Sequence, residues 1–347
     1  MLHSPITPAP TDAVALLTGF AAALDEAAPG ADPRHCFLRR AWFAAAGGAD
    51  ASTLVVSGPD GRVRAALPTV ATGPAWLRLR AVPGSYWPAR NVPIAPDIAD
   101  FELTALLGSP ALGRAWRLGP VNADDPTATR LLRAARACGW TVLKRRIATS
   151  FMLDLAVARA AGPWPRPSTL KKNRYHEKQL AAHGALAWRS LSGADWTPEL
   201  FDRLAAVEGA SWIGDKPDAD AKFCDPRQRA IWQDAAADPV LARMMHVGLL
   251  EIGGAPAAFS FGIEAGHIRY CIATSYDRRF AKHSPGKLIS YRTFCEAAAR
   301  GITLFDDGAG DGGHKRVMGE EAGPEIMDYL FVRSPLLAAL LRPVWRS

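Results

Sequence analysis

Between Tyr276 and Gly319 the chain places basic, hydroxyl and carboxylate side chains at spacings that suit chemistry on an anionic ligand. Lys282-His283-Ser284-Pro285-Gly286-Lys287-Leu288 reads as a helix start. Ser is a favoured N-cap, and Pro fits the first helical position because the amide it lacks would be unpaired there anyway. A helix start offers free backbone N–H groups and partial positive charge, and Lys282 and Lys287 add full charges, so residues 282 and 284–288 are candidate binders of a phosphate. An ordinary capped helix with surface lysines is the competing reading. Ile302-Thr-Leu-Phe reads as a strand that stops at Asp306 and Asp307. Adjacent strand residues face opposite sides, so one carboxylate would enter a cleft and take a proton from an attacking group. Asp307 is preferred, against a loop-start Asp that only bonds backbone amides. His283 could be a base or a phosphate donor, or a solvated loop residue. Asp311 and His314 have no convincing metal-binding companions, and no metal is expected.

The helix that holds this start continues through Leu288, Tyr291, Cys295 and Ala298 at spacings of three and four, and Gly301 is placed to end it in the left-handed conformation. Upstream, residues 12–26 are expected to form a helix capped by Asp12. Thr53-Leu-Val-Val-Ser and Val63-Arg-Ala-Ala-Leu-Pro flank the turn Pro59-Asp-Gly as a hairpin. Residues 73–93 read as loop, where Trp76, Tyr86 and Trp87 could line an acceptor groove or simply pack; Trp87 is the candidate substrate contact. Residues 127–138 read as a helix closed by Gly139. Ala161-Gly-Pro-Trp-Pro-Arg-Pro is the best linker, dividing the chain into 1–160 and 165–347. Beyond it, Ser168 could cap a basic helix carrying Lys171, Lys172, Arg174, His176 and Lys178. That face could touch RNA or membrane phosphates, or be solvated surface. A second hairpin turns at Gly253-Gly254, and 268–274 is a further strand. Ala134 to Leu143 echoes Ala297 to Phe305 in pattern, so two similar halves are expected, the second carrying the chemistry and the first shaping the cleft.

The chain has 347 residues, about half of them apolar, and a net charge of +7. That size suggests two domains, and ordinary charge content argues against global disorder. The positive excess favours anionic partners or serves solubility. Five dispersed cysteines suggest reduced thiols and a cytoplasmic setting. No signal peptide is read at the N-terminus. The C-terminal apolar run is too short to span a bilayer; it is expected to pack as a final helix, with weak peripheral membrane contact through 336–345 as the lesser possibility.

Phe259-Ser-Phe-Gly, Tyr270, Tyr276-Asp, Phe280, Ser284-Pro-Gly-Lys-Leu, Phe305-Asp and Lys315-Arg resemble the GNAT-related acyltransferases of the cellulose-biosynthesis CelD type and, more distantly, the Fem-type peptidyltransferases. The resemblance covers 165–320. It implies a mixed α+β class with tandem GNAT-like folds, each a mostly antiparallel sheet flanked by helices. It also implies acyl transfer, usually from acetyl-CoA, to an amine or hydroxyl of a small molecule or a cell-envelope or polysaccharide precursor. In that setting Tyr276 would protonate the leaving thiolate, and Lys315 and Arg316 match a basic pair that holds an anionic group of donor or acceptor. At the pyrophosphate loop, Pro285 and Lys287 replace the small residues of standard GNAT enzymes. Two rivals stand beside this: a Fem-like transferase using aminoacyl-tRNA, and a non-catalytic module in polysaccharide biosynthesis or export.

Overall fold

A computed structural model of the chain describes residues 14–84, 89–214, 221–310 and 314–346. Trp87, Tyr86, Asp12 and Asp311 lie outside the described residues. The chain divides into two compact units, Met1–Ile147 with Glu325–Ser347, and Ala148–Pro324. The division therefore does not fall in the Pro-rich stretch at 161–167, which lies inside the second unit.

In the first unit, strands Val14–Thr18, Ser52–Ser57, Val63–Thr72, Leu79–Ala81 and Ala115–Asn122 and the end of Glu321–Val332 lie side by side in that order. All pairings are antiparallel except Leu79–Ala81 with Ala115–Asn122. The hairpin expected at Pro59-Asp-Gly is present, with Gly61 at φ +76°. The helix expected over 12–26 is not. Val14–Thr18 is an edge strand whose Leu16 and Leu17 face solvent, and only Ala23–Ala27 is helical. The β-branched ends of Val-Ala-Leu-Leu-Thr suit a strand, and Gly19 at φ +72° breaks the chain before the helix.

The second unit places the end of strand Thr141–Asp154 beside Leu304–Ala309, then Ile268–Tyr276, Ala255–Ala265, Met245–Ile252 and Leu186–Leu191. Gly253 and Gly254 both take positive φ, the requirement of a two-residue hairpin loop that follows the strand twist. The parallel pair here is Ile268–Tyr276 with Leu304–Ala309. Parallel neighbours need a long crossover, and helix Pro285–Ala299 supplies it. In the first unit the helix standing between the parallel partners is Asp100–Gly108, not the Pro126–Ala137 helix that echoed it in sequence. Helix, Gly, strand is too generic a pattern to fix which helix corresponds to which.

Among the described residues some helix starts carry a side-chain cap, while Ala23–Ala27, Arg40–Ala45 and Asp100–Gly108 begin without one. Asp125, Asp154, Thr197, Asp225 and Asp238 each occupy an N-cap and accept a hydrogen bond from a first-turn amide. The basic helix Pro167–Ala181 starts one residue before the expected cap Ser168, with Arg166 at the N-cap and no side-chain bond. Beneath the crossover helix, Phe294 and Phe305 stack with centroids 4.3 Å apart in a core that includes Leu153, Tyr291 and Met318. Phe294→Ala and Phe305→Ala should each lower unfolding free energy by about 3–5 kcal/mol in urea titrations. The double variant should lose less than the sum, because the two rings share one contact.

Candidate active site

The two parallel strands pair at only three positions, Ile268 with Leu304, Arg269 with Phe305 and Tyr270 with Asp306. Beyond these they part. On the other side of Ile268–Tyr276, the pairing with Ala255–Ala265 shifts register between Cys271 and Ala273, which bends the strand locally. Tyr276 ends this strand, and its ring lies against the start of the crossover helix. A Cβ added at Gly286 would sit 2.8 Å from the ring's Cδ1, so Gly is needed for this approach.

Ser284 occupies the N-cap as the spacing suggested, but in the left-handed conformation, φ +52° and ψ +47°, and its hydroxyl caps nothing. Pro285 has no amide hydrogen. Leu288 N–H reaches Ser284 O at 3.1 Å, which leaves Gly286 and Lys287 as the first-turn amides without a chain partner among the described residues. Ser284 and Lys287 are half-buried, Pro285, Gly286 and Leu288 are buried, and Lys282 is exposed. The side chains nearby are cationic or imidazole. The basic helix Pro167–Ala181 packs on the turn Arg278–His283 and on the crossover helix. Burial and the Lys172 charge hold the Lys287 ammonium below its usual pKa. Burial, with Lys172, His283 and Lys287, does the same to His176. Burial, Lys282 and His183 lower His283. Both imidazoles are thereby kept neutral, and His283 Nε2, His176 Nδ1 and Asn173 Oδ1 are buried without a partner.

The two aspartates separate as strand alternation requires. Asp306 is fully buried and accepts from the Ser150 hydroxyl and from Gly308 N–H at 2.9 Å. Asp307 is half-buried beside Lys315 and Glu320. Lys315 is also buried. Its ammonium donates to the carbonyls of Asp307 at 2.7 Å, Gly308 at 3.1 Å and Ala309 at 3.0 Å, and lies 3.8 Å from the Asp307 carboxylate. All its donors are thus committed to the strand end. Arg316 is exposed, with its guanidinium 5.7 Å above the Phe151 ring.

Glu320 was not evident from the sequence. It is 3% exposed, and neither oxygen accepts a hydrogen bond from a chain donor. Burial, then the adjacent Asp307 charge, push its carboxyl up to about 9. Two carboxyls side by side in a buried place retain a proton between them. The only sequence signal is position: Glu320 follows Gly319, which stands at φ +98° after the short helix His314–Met318.

A cleft of about 1070 Å³ opens onto this carboxyl. Its walls include Met152, Trp164, Arg166, Tyr291, Arg316 and Glu320. The stretch read as a linker is thus one wall. Trp164 Nε1 donates to Met318 O at 3.0 Å and Tyr291 Oη to Val317 O at 3.2 Å, which pins the turn carrying Glu320. Tyr291 lies one helical turn beyond Lys287, whose ammonium sits 5.6 Å from its ring centroid, so the helix start and the cleft share a wall. The turn Ser284–Leu288 is not among the residues lining the cleft. Among the described residues no cluster of three or more His, Cys, Asp or Glu could hold a metal ion.

Lys315→Met should cost about 3–5 kcal/mol, because it removes a buried charge and leaves carbonyls unpaired. Glu320 predicts a pH signature. Its carboxyl in the folded state, at about 9, lies far above the ordinary 4.5 of an unfolded chain. Between those values the folded state holds a proton that the unfolded state has lost, so stability falls as pH rises, by up to about 1.4 kcal/mol per pH unit. In thermal melts from pH 5 to 9, Glu320→Gln should flatten this decline and exceed the parent at the alkaline end.

Residues 167–316 match the sequence family described as an acetyltransferase (GNAT) domain. No curated protein matches the sequence significantly. FemX is similar in structure over 92% of this chain and 97% of its own, at 13% identity and a TM-score of 0.62. A conserved protein of unknown function from Bacteroides thetaiotaomicron VPI-5482 is similar over 92% of this chain and 99% of its own, at 12% identity and 0.58. L-PGS from Bacillus licheniformis is similar over 84% and 88%, at 12% and 0.51. At such identities the likeness shows the fold alone. The segment 167–316 thus matches a GNAT-type acetyltransferase domain in sequence, and the chain is similar in fold to these solved structures.

Proposed function

We propose that the chain transfers an acyl group from an acyl-CoA, acetyl-CoA foremost, to an amine or hydroxyl that attacks the thioester directly. One observation carries the reading: the crossover helix begins with its hydroxyl cap unused, two amides without a chain partner among the described residues, and the charged side chains of Lys282, Lys287 and Lys172 nearby. Side-chain caps stand at Asp125 and Asp225 and are lacking at Arg39, Ala99 and Arg166; what sets the crossover start apart is a serine at the cap, in the left-handed conformation, whose hydroxyl is left unused. An uncapped start with surplus positive charge suits a diphosphate. In this reading Lys282, Ser284, Pro285, Gly286, Lys287 and Leu288 hold the donor, and His283 adds a ring nitrogen to it.

Proton transfer falls to the strand end. Asp307 takes the proton from the attacking nitrogen or oxygen, and Glu320, already protonated at neutral pH, leaves Asp307 as the one charged acceptor beside it. Asp306 keeps the strand end in place through Ser150 and Gly308. Tyr276, standing against the helix start, is the candidate to protonate the departing thiolate. Arg316 and Arg166 at the cleft mouth suit an acceptor carrying an anionic group. Lys315 acts on the site from beneath, through the backbone. The thiols support direct attack over a covalent acyl-enzyme. Burial raises Cys271 well above its usual pKa and also raises Cys138, Cys224 and Cys295, so none stands ready as thiolate. A sugar or cell-envelope acceptor, as in the CelD-type resemblance, belongs to the same proposal.

A second reading, transfer from an aminoacyl-tRNA, is favoured by one feature. Lys171, Lys172, Arg174 and Lys178 are exposed on the helix that packs against the donor turn.

Acetyl-CoA at a hundredfold excess over its Kd should stabilise the protein by about 2.7 kcal/mol in thermal-shift assays. Lys172→Ala with Lys287→Ala should weaken that binding at least tenfold, and Asp307→Asn should lower turnover at least a hundredfold with binding retained. Cys271→Ser and Cys295→Ser should keep their turnover. Binding of charged tRNA with a steep salt slope, and no shift with any acyl-CoA, would replace this reading with the second.

A further inference from the structure

The last helix, Pro335–Arg346, is apolar on two faces. Leu337, Ala338, Leu341 and Trp345 pack inward against Leu77, Leu143, Leu330 and Val332. Leu336, Leu340 and Val344 point away from that core and are 80%, 74% and 72% exposed. Spaced by four, they form one row along the helix. Single exposed apolar residues are ordinary on a protein surface, but an aligned row of three signals contact with something apolar.

Beside this row lies a groove of about 350 Å³, lined by Val142, Leu143, Lys144, Arg342 and Trp345. The basic residues around it are not equivalent. Arg117 and Arg145 both pair with Asp328 at 2.8 Å, and Arg146 pairs with Glu325 at 2.7 Å. Lys144 and Arg342, which line the groove, have no carboxylate partner among the described residues. Trp345 Nε1 is buried there without an acceptor. The groove thus gathers two unneutralised cations and an unused N–H donor beside an exposed apolar row.

We infer that this face docks on an anionic phospholipid surface, with headgroup phosphates at Lys144 and Arg342 and the Leu336–Leu340–Val344 row entering the acyl boundary. No described helix is long and apolar enough to cross a bilayer, so the helix would lie in the plane of the interface. Trp345 suits that depth, with an apolar ring and one polar N–H. A second copy of the chain fits less well. A two-fold interface presents the same patch from both sides, and would bring the unpaired cations of both grooves together. The inference is independent of the reading given for the acetyltransferase domain.

Sedimentation of the full chain with phosphatidylglycerol vesicles tests it. Binding is expected at low salt, at least tenfold weaker at high salt and at least tenfold weaker with phosphatidylcholine vesicles. Leu336→Glu with Leu340→Glu, and separately Lys144→Gln with Arg342→Gln, should each reduce binding at least tenfold while the melting temperature stays within two or three degrees. These side chains are exposed or line an open groove, so the fold should tolerate the changes. Failure to sediment with phosphatidylglycerol vesicles would overturn the inference. So would binding that neither double variant alters, or a dimer in solution that the leucine variant alone dissolves.

Discussion

The site depends on a buried ammonium. Lys315 donates to three successive carbonyls at the end of strand Leu304–Ala309, where the strand has left its parallel neighbour and its own backbone would otherwise lack partners. A buried charge persists only when its donors are used and an opposite charge is near. Here the carbonyls use the donors and Asp307 supplies the charge. The arrangement fixes where the strand ends and which way Asp307 faces. It also sets the state of Glu320. Around one ammonium stand Asp306, held by Ser150, then Asp307 and Glu320. One cation cannot offset two buried carboxylates and a half-buried one, so Glu320, which accepts no hydrogen bond from the described residues, keeps its proton.

The same logic, with the signs exchanged, governs the other end of the site. Five N-caps in the chain use an Asp or Thr to satisfy first-turn amides, a saving of roughly 1 kcal/mol each. The crossover helix forgoes that bond. Its cap residue adopts a left-handed conformation that side chains other than Gly and Asn rarely take, and Lys172, Lys287, His176 and His283 crowd together with no carboxylate to offset them. A local arrangement that gives up a cap, accepts backbone strain and gathers like charge is stabilised by little within the chain. Such costs collect where a ligand is received.

Much of this was legible in the sequence, for reasons that differ by element. Ser284-Pro285-Gly286 marked a helix start because Pro can occupy so few positions, and Gly253-Gly254 marked a hairpin because a tight turn needs positive φ. These are local rules, and local rules survive folding. The mixed α+β class came from the family resemblance. What the sequence could not supply were consequences of packing. Val14–Thr18 was read as helix because its apolar residues fit either period, and only the pairing with Ser52–Ser57 decides the matter. Ala161 to Pro167 was read as a linker from its prolines, yet Trp164 in its middle is tied to Met318 and makes it a wall. Lys315 was read as a ligand contact from the family resemblance, while its neighbours in the fold are carbonyls at the irregularity between Asp306 and Ala309. Glu320 carried no signal beyond its place after Gly319, since a carboxyl becomes unusual only through what surrounds it.

These two ends of the site differ in sign and are linked by one helix. Cations surround its first turn. One turn on, Tyr291 helps form the cleft and, through Val317, holds the segment that bears Glu320. A donor with a charged diphosphate at one end and a neutral thioester at the other would meet positive charge first and the proton-sharing pair second. The acceptor has the opposite requirement: it must give up a proton as it attacks. In the function proposed, Asp307 would be the vacancy for that proton, and Glu320, already protonated, places no second negative charge beside it. In that function, separating the two ends along one helix would keep the carboxylates away from a diphosphate, which they would repel.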